Sequence, residues 1–176
     1  MPSMAIQSKG VLIIMPSLFT EDTYEQAIIE LFENMGYDHL YAPDMDRDYS
    51  SPLLDAELRN SLVRINRSLP AEAIDEALSK LKNFDTGSLL QKNIIFMDYL
   101  QNGITVKFFV KGEEQSSIVH LIDYQNVKNN SFYVVNQFTF LENGNNRRPD
   151  VILFVNGLPL VLMERKLIYY IERVIQ

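Results

Sequence analysis

The chain has 176 residues, 47% of them hydrophobic, with ten Phe, nine Tyr and a net charge of −7, which suits one α+β domain with its own core and is too short for two of ordinary size. It contains no Cys and two His, His39 and His120, which excludes a disulfide scaffold and a Cys-ligated zinc site and argues against a His-rich metal site, leaving oxygen ligands for any metal. The acidic balance argues against a free-standing DNA binder, because affinity for phosphates comes from Lys and Arg displacing counterions, so contact with nucleic acid is expected to be local or supplied by partners.

Residues 1–19 show no periodicity and read as an arm. The apolar run 11–15 is cut by Pro16 and is too short for a membrane span or a signal-peptide core, which points to a cytoplasmic protein. The first helix is expected from Asp22, where Asp22 and Glu25 form a variant capping box, through the stripe Tyr24, Ala27, Ile28, Leu31, Phe32 and Met35 to a stop at Gly36. A second helix runs from about Asp55 through Leu58, Leu62 and Ile65. A third opens at Pro70, carries Ile74, Ala77, Leu78 and Leu81, and is broken by D-T-G-S at 85–88. Leu90, Ile94 and Met97 mark a fourth, ending near Gly103; Met and Phe at helical spacing are expected in the core. Residues 20–103 are thus mainly helical. From 104 the period changes to two, giving strands at 104–110, 117–124 and 131–141, separated by G-E-E and K-N-N clusters. A last pair, 151–155 and 158–164, flanks Asn156-Gly157, a strong hairpin signal.

That hairpin carries the chemistry. Asp150 stands at its mouth, and Glu164 and Lys166 on the returning strand share a face because side chains alternate. A plain two-residue loop would pair Asp150 with Met163 and leave the acids on opposite faces. A three-residue loop with Gly157 as a left-handed bulge residue would pair Asp150 with Leu162 and set Glu164 diagonally beside it, roughly 7–8 Å away at Cα, close enough to share a divalent ion. A catalytic site here therefore calls for the bulged loop. Mg²⁺ suits such hard-oxygen donors, with waters and substrate phosphate completing its shell. The chemistry would be metal-assisted phosphodiester hydrolysis, with Lys166 orienting the attacking water or offsetting charge on the phosphorane. Charges closing the apolar run 158–163 need a reason, although D-x₁₃-E-x-K alone is a weak pattern.

The segment N-N-R-R-P-D-V-I-L-F-V-N-G-L-P-L-V-L-M-E-R-K closely resembles the N-terminal nuclease region of type I restriction enzyme R subunits, members of the PD-(D/E)-x-K superfamily. So do E-Q-A-I-I-E-L-F-E-N-M-G-Y, R-I-N-R-S-L-P-A-E-A-I-D-E-A-L and I-D-Y-Q-N-V-K-N-N-S-F-Y-V-V-N-Q-F-T-F. The resemblance implies helices packed on a mixed sheet in an α/β/α-like restriction-endonuclease fold. It also implies that Asp150 and Glu164 bind Mg²⁺ and that Lys166 is the catalytic lysine. Glu25 matches an acid that often faces the site in this superfamily; it flanks the apolar stripe where Glu30 points away, and a plain capping role stays open for it. The implied function is Mg²⁺-dependent cleavage of double-stranded DNA within a complex of modification and specificity subunits. ATP would serve the motor domains of a full-length subunit, and this chain carries no phosphate-binding loop motif for it.

Arg165 stands where the family more usually has an apolar residue, and 167–176 depart from the family's continuation, so the chain reads as a single nuclease domain, 104–166 forming its sheet, truncated at the C-terminus. Two other readings remain: a non-catalytic remnant acting as an interaction module, and a stand-alone nuclease of the same superfamily. Arg147 and Arg148, with Arg165, are candidates for DNA contact beside the site. His39 and His120 are assigned no role. The acidic cluster 44–48 lacks the glycine and terminal glutamate of a calcium loop and reads as solvated.

Overall fold

The computed structural model of the chain describes residues 21–83, 87–142 and 144–164. Helix α1 (Glu21–Asn34) starts before Asp22, which therefore lies inside the helix instead of capping it. Ile29 is buried with Ile28 and Phe32 beside it, while Leu31 and Met35 are 56% and 64% exposed. The buried stripe is rotated from the expected one because Ile29 is the residue that meets Val134, Val151 and Leu153 of the sheet. Met35 is not in the core.

Strand β1 (Asp38–Tyr41) follows at once. Sequence periodicity did not reveal it: four residues hold two turns of alternation, and its partner is almost a hundred positions away. Helices α2 (Asp55–Ile65), α3 (Ala71–Lys82) and α4 (Leu89–Asn102) lie where the apolar spacing puts them. Ser88 caps α4 through a reciprocal pair: its hydroxyl accepts from the Gln91 N–H at 3.3 Å, and its own N–H donates to the Gln91 side chain at 2.8 Å. The face of α4 that packs inward is Phe96, Tyr99 and Leu100, and the expected stripe of Leu90, Ile94 and Met97 is exposed. This helix is apolar on two sides, so spacing alone picks the wrong one.

The second half does not form one sheet. Strands β2 (Ile104–Val110) and β3 (Glu113–Val119) make a separate antiparallel hairpin around Lys111 and Gly112, both at positive φ. Glu113 and Glu114 are therefore strand residues, and the second expected strand, 117–124, is shifted toward the N-terminus. Ile104, Val106 and Phe108 point into the main core with Leu58, Leu62, Ile74, Ala77 and Leu81. The run 131–141 is likewise divided. β4 (Phe132–Asn136) ends at Gln137, and β5 (Phe140–Glu142) pairs with the short β6 (Asn145–Arg147).

The central sheet has the order β1-β4-β7-β8, with β7 (Val151–Val155) and β8 (Leu158–Met163) as the last pair. β1 runs parallel to β4, and the other neighbours are antiparallel, making the sheet mixed. Val134, Val151 and Leu153 face α1, while Val135, Ile152 and Phe154 face Ala42, Leu54 and Phe138 on the other side. The class is α+β, helices packed on a mixed sheet, as in nuclease-like folds.

Candidate active site

The β7–β8 turn is held from three directions. Asn156 and Gly157 have φ of 53° and 83°, the left-handed pair of a two-residue type I′ connection. Asn156 is fully buried: its N–H donates to the Ser131 carbonyl, its side-chain oxygen accepts from the Ser131 N–H, and its amide nitrogen donates to the carbonyl of Leu121 and the side chain of Asn130. The Gly157 carbonyl accepts from the N–H of Leu54, and a Cβ on Gly157 would stand 2.7 Å from both the Leu54 oxygen and the Leu58 nitrogen. Ser131 also donates to Glu57, as do Ser61 and Arg64. Burial pushes the Glu57 carboxyl up, but these donors outweigh it and hold the group below its ordinary range.

The loop is thus the plain two-residue kind, closed by Val155 and Leu158, and the expected three-residue loop with a glycine bulge does not occur. Irregularity enters three residues later instead. Phe154 pairs with Pro159 and Leu153 with Val161, so the register skips Leu160. This bulge takes up one residue, and beyond it Ile152 faces Leu162 and Val151 faces Met163. The ladder ends at Val151 and Met163; continued one further step, its register would set Asp150 opposite Glu164 and not diagonal to it. Residues so opposed lie about 4.5–5.5 Å apart at Cα and project to one side. The expected bulged loop is corrected to a plain two-residue turn, and the register shift lies on β8 instead. Asp150 is half-buried behind the buried Pro149, and Glu164 is exposed.

The C-terminal end of β4 completes this end of the sheet. Asn136 pairs with Val151, and the Gln137 N–H donates to the Asp150 carbonyl at 3.4 Å. The two side chains reach toward α1. Asn136 donates to one oxygen of Glu25 at 2.6 Å, and Gln137 donates to the other at 2.8 Å. Glu25 is therefore engaged across the fold, beyond any capping role. Sequence reasoning missed Asn136 and Gln137; the available signal was a polar pair closing the apolar run 132–135. His39 Nε2 lies 2.9 Å from the Asn136 side-chain oxygen. Since the Asn136 amide nitrogen serves Glu25, that oxygen accepts and His39 carries its proton on Nε2.

Arg147 and Arg148 are exposed near Asp150 in sequence, Arg147 at the end of β6. Lys166 and Arg165 lie outside the described residues, as does the segment 1–19. Among the described residues no group of three His, Asp or Glu side chains converges on a common point. What this sheet end offers is two carboxylates bordering the last pair of the ladder, hard-oxygen donors of the kind divalent cations take with water filling the remaining positions. The 44–48 loop holds an inward feature as well: the Arg47 guanidinium lies over the ring of Phe138 at 3.8 Å and that of Tyr49 at 4.5 Å, pinning the loop beneath β4. The backbone of His120 is clamped by the Asn66 side chain, which fits a structural position.

Residues 18–170 match the family described as type I restriction enzyme R protein N terminus. The chain is 31% identical over 158 residues to the type I restriction enzyme HindI endonuclease subunit of Haemophilus influenzae, covering 85% of this chain and 15% of that protein. It is 32% identical over 151 residues to a protein of Methanocaldococcus jannaschii assigned as the MjaIXP type I restriction enzyme endonuclease subunit, covering 81% of this chain and 14% of that one. A third relative, assigned as the MjaVIIP endonuclease subunit of the same archaeon, is 44% identical over 70 residues, 40% of this chain. The chain thus spans about one seventh of the length of the first two relatives, 15% and 14%.

Proposed function

The chain belongs to the family of type I restriction enzyme R protein N termini, and on that premise we propose that it is a Mg²⁺-dependent nuclease domain that hydrolyses phosphodiester bonds of double-stranded DNA, working within a complex that also contains modification and specificity subunits. The observation that supports this reading is the register of the β7–β8 hairpin, whose bulge at Leu160 would, continued one step past Val151 and Met163, set Asp150 opposite Glu164. Relatives named as restriction endonuclease subunits supply the reaction class.

Asp150 and Glu164 are the metal-binding acids in this reading. Their carboxylate oxygens are hard donors of the kind that would hold a divalent cation. When bound, the ion supplies Lewis acidity toward the phosphate and a lowered pKa for water. Lys166, two positions beyond Glu164 in the sequence, is assigned to orient the nucleophilic water and offset charge on the phosphate. Arg147, Arg148 and Arg165 would contact DNA phosphates next to the scissile bond, giving local positive charge to an acidic chain. ATP has no place in this chain's own chemistry; the ATP-driven motor belongs to the remainder of a full-length subunit.

Plasmid nicking by this chain with Mg²⁺ or Mn²⁺ tests the reading. Asp150→Ala, Glu164→Ala and Lys166→Ala should each lower the rate by a factor on the order of 100 or more while leaving the circular dichroism spectrum unchanged. Equal nicking by all four proteins would overturn it. Metal binding without nicking by the parent chain would favour the reading as an interaction module.

A further inference from the structure

We propose that the outer face of α4 is a self-association surface, on which a second copy of this chain packs its own α4 antiparallel across a two-fold axis. The helix is apolar on two opposite sides. Phe96, Tyr99 and Leu100 pack on the main core, while Leu90, Ile94 and Met97 are each more than half exposed, with Leu89 and Ile95 beside them. At about 100° per residue, Leu90, Ile94 and Met97 fall within about 60° of one another, on the side opposite Phe96 and Tyr99. Spacing of four and then three residues is that of a two-helix seam, narrower than the stripe with which a surface helix meets its core. An open groove lined by Gly87, Gln91, Ile94 and Ile95 runs beside this seam and gives a second helix room for its side chains.

Charge selects the occupant. The whole chain carries −7, so two copies repel except where the meeting face is free of charge. In α4 the charged residues are Lys92 and Asp98, which sum to zero, and Lys92 lies half-buried toward the core side. A basic partner would be drawn instead to α1, whose 14 residues include Glu21, Asp22, Glu25, Glu30 and Glu33. A lipid surface calls for Lys and Arg along the polar face, which α4 lacks. In an antiparallel pair centred between Ile94 and Ile95, Ile94 meets the partner's Ile95 and Gln91 meets the partner's Asp98. The Gln91 side-chain oxygen already accepts from the Ser88 N–H, so its amide nitrogen is the atom that donates to that carboxylate, and no like charges face each other. A helix of 14 residues is about 21 Å long, and a contact of that length belongs to the small, weak class of interface, with a Kd on the order of tens of micromolar.

Sedimentation velocity of the parent chain from about 2 to about 200 µM tests this. The mass is expected to rise from the 20.4 kDa of one chain toward twice that value and to stop there. Ile94→Glu sets a carboxylate in the seam without touching the core; it should keep the parent's circular dichroism spectrum and stay monomeric throughout. Gln91→Glu preserves the cap of α4, since glutamate serves at that position, but places a carboxylate against the partner's Asp98 twice over, and should weaken association about fivefold or more. Adding Asp98→Lys to Gln91→Glu makes the facing pair opposite in charge and should recover the parent's affinity. A parent chain monomeric at every concentration, association that runs past two copies, or a dimer indifferent to Ile94→Glu overturns the proposal. A dimer lost in Ile94→Glu yet unaffected by Gln91→Glu overturns the antiparallel arrangement.

Discussion

Gly157 and Asn156 decide whether the hairpin bearing the two acids forms at all. Gly157 sits at φ 83° with backbone atoms of Leu54 and Leu58 2.7 Å from where a Cβ would go, and neither can move without shifting the start of α2. Gly157→Ala should therefore destabilise the fold by about 3 kcal/mol or more, combining backbone strain with overpacking. Asn156→Gly keeps the left-handed turn yet strands the Ser131 N–H and the Leu121 carbonyl in the interior, and should cost about 2–4 kcal/mol. Urea denaturation of both variants checks this; a change below 1 kcal/mol in either would show that the turn is held by something other than these contacts.

At the scale of elements, the site depends on one unpaired position. With a two-residue turn and no bulge, Asp150 would pair with Met163; the residue skipped at Leu160 moves the register by one. Inserting Ala between Val161 and Leu162 should restore the unproductive pairing, abolishing Mn²⁺ binding in calorimetry. Deleting Leu160 removes the bulge yet keeps Asp150 opposite Glu164, so binding should survive. The reverse pattern would refute the register argument. The Asn-Gly turn and the alternation around it were legible in the sequence because each is a local signal. The bulge was not, because a register shift shows only in how two strands pair and leaves no mark on either one alone. β1 escaped notice for a related reason, being a short strand defined by a distant parallel partner. Gln137 was hidden inside an apparently continuous strand, and only its backbone angle reveals the break.

For the whole molecule, the three apolar clusters divide the labour: one joins α2, α3, α4 and the β2–β3 hairpin, and the other two clothe the faces of the central sheet. None of the described helices is long and apolar enough to cross a membrane. The outer side of α4, with Leu90 69% and Ile94 61% exposed, contributes little to these clusters. Ile94→Glu should alter stability by no more than about 0.5 kcal/mol, against about 2–5 kcal/mol for Leu62→Ala in the fully buried core, a contrast measured by chemical denaturation. In the proposed function, Asp150 and Glu164 at the sheet end together take a divalent ion. The most direct test is to add substoichiometric Mn²⁺ to isotopically labelled chain and record which backbone amide signals broaden. Broadening centred on the residues flanking Asp150 and Glu164, fading toward the Asn156-Gly157 turn about 20 Å away and lost in Asp150→Ala, is the result predicted. Broadening centred on the 44–48 acidic loop, or unaffected by Asp150→Ala, would contradict it.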